Sequence, residues 1–127
     1  MTRQRSVRAL AAVLTTAAML AAGFFLGPWG ERYLQDARNQ EPVVGATTVV
    51  VTDSWFTPPV SQVPTGSTVT FVWDDDASDH NVVFDDGPAS EVIDRGRYAR
   101  TFAAPGTYDY TCTLHPFMDG RIVVVGP

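Results

Sequence analysis

The chain has 127 residues, 45% of them apolar and 18% charged, which gives room for one ordinary domain and excludes a disordered or collagen-like chain. Residues 1–41 hold five Arg against Glu31, Asp36 and Glu41, whereas from residue 42 onward four Arg face eleven acids. An acidic domain in a chain without a single Lys is a poor nucleic-acid binder, because that binding rests on Lys and Arg neutralising phosphates, and it favours a basic protein partner instead.

Arg3, Arg5 and Arg8 precede an uncharged stretch from Ala9 to Trp29. That run is longer than a signal-peptide core of roughly 7–15 residues and approaches the roughly 20 needed to span a bilayer. Residues 1–30 are therefore expected to form a single N-terminal membrane helix that acts as a signal anchor. The three Arg keep its start cytoplasmic, Trp29 sits at the outer interface, and the domain lies on the extracytoplasmic side of the cell membrane. The alternative is a signal peptide cut near Gly23, which leaves a secreted or periplasmic domain. No Cys stands at the end of the apolar run, so lipid modification there is not expected.

Residues 31–45 are polar, contain Pro42 and read as a linker; the folded domain is expected over 46–127. Runs rich in Val, Thr and aromatics predict seven short strands: Thr47 to Thr52, Val60 to Val63, Thr68 to Trp73, Asn81 to Phe84, Tyr98 to Phe102, Thr107 to Cys112 and Arg121 to Val125. Pro64-Thr65-Gly66, Asp85-Asp86-Gly87-Pro88 and Ala104-Pro105-Gly106 supply turns between them. Seven strands at this spacing predict an all-β, antiparallel sandwich. Trp55, Phe71, Trp73, Phe84, Phe102, Tyr108 and Tyr110 are its expected core.

The segment Tyr110-Thr111-Cys112-Thr113-Leu114-His115-Pro116-Phe117-Met118 places a thiol, an imidazole and a thioether three residues apart at the end of a strand. Soft sulfur with imidazole selects copper over magnesium or calcium, and two His, one Cys and a weak Met make the ligand set of a blue-copper electron-transfer site. Only one other histidine exists, His80, at the head of a separate apolar strand. Taken alone, Cys112 reads as a buried inert thiol and His80 as an ordinary sheet histidine. Their company with His115 and Met118 at this spacing, in an exported chain whose lone thiol is open to oxidation, points to one bound copper ion.

Gly106 to Met118 resembles the copper-ligand loop of the amicyanins, within the plastocyanin and azurin group of cupredoxins, with the same short Cys-x-x-His-x-x-Met spacing. The likeness extends more loosely over Thr47 to Val125, through Val63 to Trp73 and Asp79-His80-Asn81-Val82. The resemblance implies a Greek-key β-sandwich, with His80, Cys112 and His115 as equatorial ligands and Met118 as the axial one. It implies that Asn81 hydrogen-bonds the ligand loop, through Thr113. It makes the edge of His115 an electron port, with Leu114, Pro116 and Phe117 as the docking rim. Two positions depart from the family pattern. Asp79 stands where amicyanins have a proline and is expected to lower the reduction potential, so that Asp79→Pro raises it; Leu114 replaces the loop's first proline and loosens the loop.

The expectation is a type 1 copper protein that shuttles one electron between redox partner proteins and catalyses no bond chemistry. Copper delivery or storage is the alternative, although a single enclosed site with one Met in the domain suits it less. A copper enzyme needs further histidines, and a structural zinc site prefers a harder fourth ligand than Met. Asp74-Asp75-Asp76 with Asp79, and Asp85-Asp86, lack the Gly and closing Glu of a calcium loop. They read as solvated acids, or as a field that steers a basic partner.

Overall fold

A strand whose alternate residues are Val, Phe and Trp must bury one face, and Thr68–Trp73 (β5) does so: Val69, Phe71 and Trp73 are buried while the residues between them are not. The computed structural model describes residues 37–74 and 78–127. Around β5 lie Val43–Val44 (β1), Thr48–Thr52 (β2), Trp55–Thr57 (β3), Val60–Pro64 (β4), Val83–Phe84 (β6), Gly96–Thr101 (β7), Gly106–Thr111 (β8) and Asp119–Val125 (β9). They form an all-β sandwich of a five-stranded sheet, ordered β1-β4-β9-β8-β6, and a four-stranded sheet, ordered β3-β2-β5-β7. Both sheets are mixed, a correction to the antiparallel expectation. β1 with β4, β4 with β9, and β2 with β5 run parallel. The physical reason is that from β3 to β8 successive strands fall in opposite sheets, so sequence neighbours such as β4 and β5 do not pair.

The inward faces meet in one core, where Phe56, Phe71 and Phe84 pack around Tyr110 with ring centroids 4.8, 5.0 and 5.2 Å away. Tyr110 lies opposite Gly120 in the β8–β9 register, and a Cβ at Gly120 would overlap the tyrosine ring, so only glycine fits there. Trp55, expected inside, is 64% exposed; the single inward position of three-residue β3 belongs to Phe56. Tyr108 is only partly buried, and its hydroxyl donates to the Ala104 carbonyl at 2.7 Å. At the same end the Arg100 guanidinium lies 4.4, 4.7 and 4.9 Å from the Phe84, Phe102 and Tyr108 ring centres and grips Asp86 with two bonds of 2.8 and 2.6 Å.

Within residues 31–45, the described part is no free linker. Ala37–Asn39 forms a 3-10 turn, Arg38 reaches the Tyr110 carbonyl and Asp119, and β1 pairs with β4 two residues before Gly45 ends the stretch. Edge pairing uses the main chain, so these residues needed no apolar pattern to join the sheet. The expected membrane helix over residues 1–30 lies outside the described residues. Among the described residues no helix is long and apolar enough to cross a membrane.

Candidate metal centre

The five-stranded sheet delivers the thiol. β8 ends at Thr111, Cys112 follows, and the chain returns into β9 at Asp119. The loop is closed by its own backbone: Cys112 N–H donates to the Met118 carbonyl at 2.9 Å, and the Thr111 hydroxyl donates to the same oxygen at 3.1 Å. Turning so tightly places Phe117 at φ 63°, a left-handed conformation that a bulky side chain resists. His80 comes from the connection between β5 and β6. Its backbone exchanges two 3.0 Å bonds with Ile93, and the Trp73 indole N–H donates to its carbonyl at 3.3 Å.

These constraints gather His80, Cys112 and His115, whose ligand atoms all lie within 4.8 Å of one another. The Cys112 sulfur is 3.9 Å from His80 Nδ1 and 3.5 Å from His115 Nδ1, and the two rings are 4.6 Å apart. Bonds of about 2.0–2.3 Å from nitrogen and sulfur to a common ion span roughly 3.5–3.9 Å at angles of about 105–130°, which matches both sulfur–nitrogen separations. Met118 is buried within the same apolar cluster as Cys112. The donor chemistry, two imidazoles and a thiol with a thioether nearby, is that of copper.

Burial is graded across the group. His80, Cys112 and Met118 are within 2% of full burial, whereas His115 is half-buried. Around it Leu114 is 47% and Phe117 66% exposed, and Pro116 is exposed as well. Phe117 and Trp55 flank a shallow hollow of about 150 Å³ that Ala37, Gln40 and Asp119 also line. Asn81 is 7% exposed and faces Thr113: its amide donates to the Thr113 hydroxyl at 2.8 Å, and its oxygen accepts from Thr113 N–H at 2.9 Å. Asp79 is exposed, so water screens its charge.

Five contacts escaped the sequence reading. Ser78 Oγ lies 3.1 Å from His80 Nε2 and donates to Asp53 at 3.4 Å. Asp86, Asp109 and Asp119 are paired with Arg100, Arg121 and Arg38, so part of the acidic surface is neutralised within the fold. Bidentate hydrogen bonding from Arg121 holds the Asp109 carboxyl below its ordinary value, and Arg100 does the same for Asp86. None of these pairs is signalled by sequence spacing. Asp75 and Asp76 lie outside the described residues.

Comparison with known proteins places the geometry in a context. A family model described as a cupredoxin-like domain matches residues 10–124. Amicyanin-alpha of Methylorubrum extorquens is 41% identical over 92 residues, which are 67% of this chain and 76% of that protein. The solved reduced Cu(I) form of an amicyanin variant at pH 4 matches with a TM-score of 0.57 and 35% identity, covering 67% of this chain and 87% of its own. A Cu-containing nitrite reductase from Thermus scotoductus SA-01 matches with a TM-score of 0.56 and 36% identity over 74% of this chain, which spans only 27% of that enzyme.

Proposed function

We propose that this chain, which belongs to the cupredoxin family and within it resembles the amicyanins, is a blue (type 1) copper protein that carries single electrons between redox partners. His80, Cys112, His115 and Met118 are the residues that would hold the ion. The observation that carries this reading is the convergence of both histidines and the lone thiol, with the sulfur 3.9 and 3.5 Å from the two facing ring nitrogens.

Bound copper supplies the one-electron couple; the chain supplies everything that keeps the site unchanged while the electron moves. His80 and Cys112 arrive from separate segments of the chain, and the Asn81–Thr113 bonds tie those segments together, so the donor atoms are held in place rather than collected by the ion. The apolar cluster that contains Cys112 and Met118 excludes water from the donors. His115, half-buried within the exposed rim of Leu114, Pro116 and Phe117, is the group nearest an approaching protein and serves as the port. No bond chemistry is assigned to the chain, because its two histidines are both used by the one site.

The partners are redox proteins, and the net acidity of the domain favours a basic docking face. Residues 1–30 are proposed to anchor the domain on the extracytoplasmic side of the membrane, the alternative being release after cleavage near Gly23. Cu(II) titration of the purified domain tests the assignment. One equivalent should produce an intense visible thiolate band that Cys112→Ser abolishes. A colourless complex, or binding that survives loss of both Cys112 and His80, would overturn it. The mass of the membrane-extracted protein tests the anchor: the full chain mass supports it, and a chain beginning after Gly23 overturns it.

A further inference from the structure

The connection between β5 and β6 carries a second feature beside His80 that the ligand assignment leaves unused. The His80 ring is fully buried, and its Nε2 lies 3.1 Å from Ser78 Oγ. Ser78 in turn donates to Asp53 Oδ1 at 3.4 Å, and Asp53 is an exposed residue of the turn between β2 and β3. A serine hydroxyl has one proton. Once that proton faces a carboxylate, the oxygen can only accept from His80, so Nε2 must carry the imidazole proton. The lone pair then falls on Nδ1, the nitrogen that faces the Cys112 sulfur at 3.9 Å.

We propose that Ser78 and Asp53 are positioning residues, a hydroxyl-carboxylate relay that fixes the tautomer of His80 and raises the basicity of its metal-facing nitrogen. The inference rests on the copper reading above and names which of this chain's residues tune that site. It differs from the Asn81–Thr113 link, which joins two backbone segments and leaves both imidazoles untouched. The relay acts on one ring, and it reaches that ring from the turn between β2 and β3. Negative charge passed through a hydrogen bond to an imidazole N–H strengthens that ligand, and the more highly charged oxidised ion gains most.

The test uses Ser78→Ala, Ser78→Thr and Asp53→Asn in the same chain. The His80 ring nitrogens are read by NMR in the metal-free and Cu(I) proteins, and affinities for Cu(I) and Cu(II) are measured alongside the reduction potential. Ser78→Ala should mix the two tautomers in the metal-free protein. It should also weaken Cu(II) relative to Cu(I) by about tenfold, the low end of losses on removing such partners, which for one electron is a rise of 59 mV. Asp53→Asn should shift the potential the same way by less, since its amide oxygen still accepts. Ser78→Thr should restore wild-type behaviour, which a role in packing alone does not predict. The proposal is overturned if Ser78→Ala leaves the His80 tautomer unmixed, or if Ser78→Thr and Ser78→Ala shift the potential equally. Because the tautomer is read without metal, failure of the chain to bind copper sinks the copper reading and leaves the relay to be judged on the ring nitrogens.

Discussion

Replacing Asn81 by Ala removes the side chain that joins the His80 segment to the ligand loop. Three bonds of 2.8, 2.9 and 3.2 Å disappear, and the Thr113 N–H loses the acceptor it has in this structure. Each such bond contributes about 1 kcal/mol net, and a donor left without its partner adds to the loss, so the metal-free domain should be destabilised by about 2–3 kcal/mol. For a domain of this size that corresponds to a fall in Tm of roughly 8–24 °C. Thr113→Ala is the internal control. It deletes the hydroxyl but keeps the backbone N–H bonded to Asn81, and should cost about 1 kcal/mol. Urea denaturation of both single variants and the double variant measures the coupling directly. If the double variant loses the sum of the single effects, the two residues do not act as a link, and if Asn81→Ala costs less than about 0.5 kcal/mol the reasoning about the site's rigidity is refuted.

Tyr110→Phe should stabilise the domain by about 1 kcal/mol, because its hydroxyl is buried with no hydrogen-bond partner among the described residues; a higher urea midpoint at unchanged slope checks this. Burial also pushes the Tyr110 ionisation upward, so wild-type stability should decline as pH rises above about 10, where the unfolded tyrosine ionises, and the Phe variant should lack that part of the decline. Asp109 and Asp86 have folded values below the ordinary one, so their contribution is present above that value of 3.8 and fades as pH falls through it towards the folded values. Arg121→Gln should therefore flatten the acid limb of the urea midpoint, and an unchanged limb refutes the pairing. Phe117→Gly removes an exposed ring and relieves the strain of a left-handed φ, so stability should stay within about 1 kcal/mol of wild type. The electron self-exchange rate of the copper-loaded protein, which needs two rims in contact, should fall.

Much of this was legible because period-two alternation is a local signal. Val69, Phe71 and Trp73 announce an inward face, and β5 occupies the expected residues. The Cys112, His115 and Met118 spacing is likewise local, and with a single further histidine in the chain the partner segment needed no alignment. What the sequence hid is decided by register and by distance along the chain. Trp55 and Phe56 are adjacent and both aromatic, and only the register of β3 against β2 says which one enters the core. Ser78 and Asp53 are 25 residues apart, and Arg100 and Asp86 are 14 apart, so no periodicity joins them. The parallel pairing of β4 with β9 is a property of how the sheets are laid out, and the edge strand β1 is only two residues of main chain.

The segment from Cys112 to Met118 is the tip of the β8–β9 hairpin, where paired residues run as far as Thr111 opposite Asp119 and the Cys112–Met118 backbone bond shuts the gap beyond them. Three of the four proposed donors thus sit beyond the last rung of a ladder, on residues outside the paired strands. Inheritance can rewrite such a tip by insertion or deletion while every strand keeps its register. A lineage can therefore change the number of residues between its thiol and its thioether, and with it the character of the metal site, without having to rediscover a fold.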